Sequence, residues 1–170
     1  MKTIHLTLFI GLMAAAVSTT QLQAQPDIGS FGFGLILGEP TGLTLKGDAG
    51  GSNAWDLAVG SSWFGSLRIH GDYLWNVNAF SSRKAGLYFG LGAVLGFGRG
   101  KGVLIRGKAG QWYYYDDEDA FALGVRGVAG INGMPFRAPV ELFLEVAPVI
   151  GLTPATGVGT DVAVGIRYYP

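Results

Sequence analysis

His70 and Asp72 are the residues of this chain whose types and spacing most resemble catalytic machinery. Two positions apart in an alternating segment, they share one face, and a carboxylate beside an imidazole orients the ring as a base. Such a base needs a nucleophile, and Ser61 and Ser62, near the end of the neighbouring strand, are the candidates. The strand pairing expected from sequence puts His70 at mid-strand, away from either end. That favours a histidine within an internal polar network, and no enzyme activity is expected. The acidic run Asp116-Asp117-Glu118-Asp119 is of a type that could hold a divalent cation, but it lacks fixed ligand spacing. No metal and no cofactor are expected. Gly96-Phe97-Gly98-Arg99-Gly100 imitates a phosphate loop in composition only, because no helix follows it.

Composition narrows the classes further. The 170 residues are 49% hydrophobic and 14% charged, with 29 glycines, which argues for an ordered single domain. The formal net charge is zero, so nothing draws the chain to nucleic acid. There is no cysteine, which removes disulfides, thiolate metal sites and cysteine nucleophiles. At the N-terminus, Lys2 precedes an apolar stretch from Ile4 to Val17, followed by the more polar Gln21-Leu22-Gln23-Ala24. This pattern reads as a secretory signal peptide over 1–24, cut after Ala24 or within a few residues of it, and leaves 25–170 as one exported domain.

The elements that must position these residues follow a period of two rather than 3.6. Eight segments alternate: 31–37, 43–46, 55–60, 67–76, 87–97, 121–129, 140–147 and 161–168. Turns are expected at Glu39-Pro40, Gly47 to Asn53, Phe64-Gly65, Asn78 to Lys84, Asn132 to Arg137 and Thr153 to Gly157, with a long polar connection from Arg99 to Asp119. The expected fold is all-β, an eight-stranded antiparallel up-and-down transmembrane β-barrel.

What separates a membrane barrel from a soluble one is the content of its two faces. One face is nearly all Leu, Val, Phe and Ile. The other carries glycine, alanine and the set Lys46, Asp56, Arg68, His70, Asp72, Arg126, Glu141, Glu145, Asp161 and Arg167. So few charges cannot solubilise an outer surface, but they can pair inside a narrow lumen. Inward glycines suit the small bore of eight strands. Tyr73, Trp75, Tyr88, Phe89, Tyr168, Tyr169 and Trp55 are expected to ring one rim, with Trp63 and Phe97 towards the other. With both termini in the periplasm, the long connection faces outward, and Arg99, Lys101, Arg106 and Lys108 on it suit the phosphates of lipopolysaccharide.

The segment Gly38-Glu39-Pro40-Thr41-Gly42-Leu43-Thr44-Leu45-Lys46 resembles a signature of small bacterial outer-membrane β-barrel proteins that carry a GEPTGLSLK-like motif. The resemblance continues through His70 to Trp75, Glu141 to Pro148, Thr153-Pro154 and Gly165 to Tyr169. It implies the fold and an outer-membrane location, and no particular activity. Barrels of this kind usually end in an aromatic residue that the barrel-assembly machinery reads. Pro170 follows Tyr168-Tyr169 here, so the signal is expected to be read one residue earlier, or assembly to be less efficient. The expected role is structural or surface-interacting, as a monomer among outer-membrane lipids and lipopolysaccharide, with a narrow channel as the alternative and a lipid-modifying enzyme built on His70 as the third reading.

Overall fold

Alternation at period two folds into a closed ring of strands. The computed structural model describes residues 31–77, 79, 85–98, 105–106, 112–113, 121–136, 138–153 and 156–170. The barrel strands are β1 (Phe31–Gly38), β2 (Thr41–Gly50), β3 (Asn53–Ser62), β4 (Gly65–Val77), β5 (Ala85–Phe97), β8 (Phe121–Gly133), β9 (Val140–Thr153) and β10 (Gly157–Tyr168). A two-residue ribbon, β6 (Ile105–Arg106) with β7 (Trp112–Tyr113), lies in the connection between β5 and β8. The order around the ring is β1-β10-β9-β8-β5-β4-β3-β2, every barrel pair is antiparallel, and β1 closes on β10 through Phe33↔Tyr168 to Gly38↔Ala163. Closure satisfies the backbone groups that an open edge would leave unpaired. The described residues contain no helix. The expected signal peptide, the acidic run 116–119 and the basic residues Arg99, Lys101 and Lys108 lie outside the described residues, as does the side chain of Arg106.

The ladder runs further than the turn chemistry suggests. The segment Gly47 to Asn53, expected to be a turn, is mostly strand: β2 continues to Gly50 and β3 starts at Asn53. A register shift between Asp48 and Gly50 absorbs the reversal. Gly50 (φ 93°) and Gly51 (φ 66°) take the left-handed conformations it needs. The strand from 121 likewise reaches Gly133, taking in Asn132 and Gly133 from the expected turn. In the opposite sense, the pairing of β8 with β9 is interrupted between Arg126↔Val149 and Ala129↔Val146. Pro148 falls in that gap and has no N–H to give.

The two faces separate cleanly. Outward positions include Leu35, Leu43, Leu91, Val125, Leu144, Val162 and Val164, all exposed. None of the outward positions of the described barrel strands carries a charge. Exposed rings gather near the rim that holds both ends of the barrel. There Phe31 lies 6.2 Å from Trp55, Phe33 6.0 Å from Tyr168 and Tyr73 5.4 Å from Trp75, between ring centroids. At the other rim, Phe97 and Phe121 pair at 5.5 Å.

Three inward rings fit because glycine faces them. A Cβ on Gly130 would enter the Tyr88 ring, one on Gly165 the Phe143 ring and one on Gly32 the Tyr169 ring. The expected girdle therefore needs correcting. Tyr88 and Tyr169 are buried, and Trp63 is only partly exposed and packs on the interior cluster of Phe64, Val94, Ala122 and Val149. Tyr88 shares the inward phase of Gly90 and Gly92, and Tyr169 takes the face opposite its neighbour Tyr168. Strand phase outweighs the general preference of aromatic rings for rims.

Candidate functional site

The interior is the candidate site. All ten expected residues, Lys46, Asp56, Arg68, His70, Asp72, Arg126, Glu141, Glu145, Asp161 and Arg167, point inward, and each keeps 4% or less of its surface exposed. Burial at this level is tolerable for charges only when they are paired and hydrogen-bonded.

Towards the rim holding the ends, Glu141 is the hub. Its Oε1 accepts from Lys46 Nζ at 2.8 Å and from Asn132 Nδ2 at 2.6 Å. Its Oε2 accepts from the Tyr169 hydroxyl at 2.9 Å and from Arg167 at 3.4 Å. Arg167 also donates to Thr44 Oγ1 through Nε (3.1 Å) and Nη2 (2.9 Å), and to Asp56 Oδ2 at 3.1 Å. The Arg167 guanidinium carbon lies 3.9 Å from the centroid of the Phe143 ring, close enough for a cation–π contact in a desolvated setting.

At mid-barrel, Arg126 donates to Glu145 Oε1 at 3.0 Å, and the Tyr88 hydroxyl donates to Glu145 Oε2 at 3.1 Å. Arg126 Nε also lies 3.3 Å from Asp72 Oδ2, without the alignment of a hydrogen bond. Near the opposite rim, Arg68 grips Asp161 with both terminal nitrogens, and Trp63 Nε1 donates to Asp161 Oδ1 at 3.0 Å. Strands β4 and β10, which carry Arg68 and Asp161, lie four places apart around the ring of eight, so this pair spans the bore.

The dyad reading of His70 loses its nucleophile. His70 stands across from Ala58 in the β3–β4 ladder, and Ser62 lies four residues further along β3. At roughly 3.3 Å per residue that is about 13 Å along the strand. Ser62 Oγ is engaged with the backbone N–H of Phe64 and with Arg68, and Ser61 is exposed. His70 Nε2 is 3.9 Å from Asp72 Oδ2, too long for a hydrogen bond.

Comparison with family models, curated proteins and solved structures finds no match. The network includes partners not singled out as site residues from sequence, Thr44, Trp63, Tyr88, Asn132, Phe143 and Tyr169, and it takes in Ser62 as a partner of Arg68 instead of a nucleophile. A signal existed for some of them, since Thr44 shares the phase of Lys46, and Phe143 that of Glu141 and Glu145. What the arrangement does is cross-link walls: β2 to β9, β3 to β10, β4 to β10, and β8 to both β4 and β9.

Proposed function

We propose that the chain is an outer-membrane barrel with a structural or surface-interaction role, its lumen plugged by the charged network. One observation carries this reading: the outward wall of the described barrel strands carries no charge and is mostly apolar, with Thr41, Ser61 and Thr160 as exposed polar exceptions, while the site's ten charged or titratable side chains are buried inside. Soluble proteins rarely expose contiguous apolar patches beyond a few hundred Å². A lipid-facing barrel has this polarity, with aromatic residues near its rims. The resemblance of the segment Gly38 to Lys46 to outer-membrane barrels points the same way. The proposal assigns the barrel no catalysis, and it takes outer-membrane lipid and lipopolysaccharide as its surroundings.

Cell fractionation tests the placement. The chain is expected in the outer-membrane fraction, migrating anomalously on a gel unless boiled. Recovery in a soluble fraction, with migration indifferent to boiling, would overturn the proposal.

A further inference from the structure

Among the described residues, five carboxylates and four permanent cations are buried in the interior, so with every carboxylate ionised the negative charges there outnumber the positive by one. The surplus is most evident at one place. Asp56 and Asp72 stand directly opposite each other on β3 and β4, both buried. Like charges directly opposite in a ladder are destabilising. His70, two residues from Asp72, faces the same space.

Several buried polar atoms at this place lack partners. Asp56 Oδ1, both oxygens of Asp72 and His70 Nδ1 are buried and have no hydrogen-bond partner. Asp56 meets Arg167 only through Oδ2, and Arg126 approaches Asp72 without alignment. Elsewhere in the network, Glu141 satisfies both its oxygens with four donors. Unsatisfied polar groups in a buried setting are costly and call for an explanation.

The geometry points to a metal site: Asp56, Asp72 and His70 each offer one ligand atom, all within 4.8 Å of one another, for a borderline divalent ion of the Zn2+ kind. Two carboxylate oxygens and one imidazole nitrogen form a hard-to-borderline donor set, suited to Zn2+, Co2+, Mn2+ or Fe2+ more than to Ca2+ or Mg2+. Metal–ligand distances of about 2.0–2.2 Å put tetrahedral donors roughly 3.4 Å apart, so donors at the far limit of this spread draw together by more than about 1 Å as the ion binds. Ligand spacing within a single segment does not reveal such a site, because its ligands come from two strands. The ion would bridge β3 and β4 at the like-charged pair. Deep burial of the ligands means that it is captured as the barrel closes.

The full-length chain carrying His5→Ala, folded in detergent with Co2+, tests this, because His70 is then its only histidine. The expected result is stoichiometric Co2+ that survives desalting, a visible d–d band, and a paramagnetically shifted imidazole signal. Zn2+ should displace the band. Asp48→Asn, at the exposed end of β2, should leave binding intact. Asp72→Asn and His70→Ala should weaken it by at least the roughly 10–100-fold that loss of a mere outer-shell partner costs. Heat-modifiable migration reports whether each variant is folded. If either ligand variant fails to fold, the shifted imidazole signal of the His5→Ala chain decides alone. A folded barrel that keeps no Co2+ or Zn2+, as a proton shared by Asp56 and Asp72 would produce, overturns the site. So does Co2+ retained without a shifted imidazole signal, or undiminished by the ligand variants, because the ion then sits elsewhere.

Discussion

Arg167 donates to Thr44, Asp56 and Glu141 at once while its guanidinium covers Phe143. Its removal leaves two carboxylates short of their cation inside the barrel. Deleting one partner of a buried pair costs about 3–5 kcal/mol. Arg167→Met is expected to lower unfolding free energy by that amount in a urea titration of the detergent-folded barrel. Tyr88→Phe removes one neutral donor from Glu145, which retains Arg126, and is expected to cost about 1 kcal/mol in the same titration. Membership of this network was legible in the sequence, because every charge on the described barrel strands falls in the inward phase. The pairings were not. Lys46 meets Glu141, and Arg68 meets Asp161, across the lumen from strands that are not neighbours. Those contacts depend on the stagger of the closed ring, which a linear pattern does not carry.

At the scale of the strands, alternation made the eight segments and their inward faces readable. It failed where composition stood in for phase. Gly, Asp, Ser and Asn between Gly47 and Asn53 read as a turn, yet the ladder reaches Asp48↔Ala54 before the register shifts. Their aromatic rings suggest a rim for Tyr88 and Tyr169, but their phase turns them inward. The packing of Tyr88 on Gly130 supplies a test of this interior fit. Gly130→Ala puts a methyl into the ring and is expected to cost about 1–3 kcal/mol. That cost should shrink in a Tyr88→Ala background, giving a measurable coupling energy in a double-mutant cycle. On the other face, Leu91 sits at the centre of β5 and is 59% exposed. Leu91→Arg is expected to destabilise the barrel in lipid by about 2–4 kcal/mol. In a water-facing barrel the same surface change would stay within about 0.5 kcal/mol.

For the whole molecule, the ring leaves no open edge and the salt bridges brace opposite walls, so the barrel should be rigid and closed. Planar-bilayer recordings of the reconstituted protein are expected to show no large steady conductance, and such a conductance would contradict a plugged lumen. The central claim, that the apolar wall faces lipid, has a more direct test. The chain contains no cysteine, so Leu91→Cys provides a unique attachment point for a nitroxide. In proteoliposomes the account predicts a spin label that collides readily with dissolved oxygen and hardly with a water-soluble nickel chelate. A label at this position open to the nickel chelate and shielded from oxygen would place the wall in water and contradict the account.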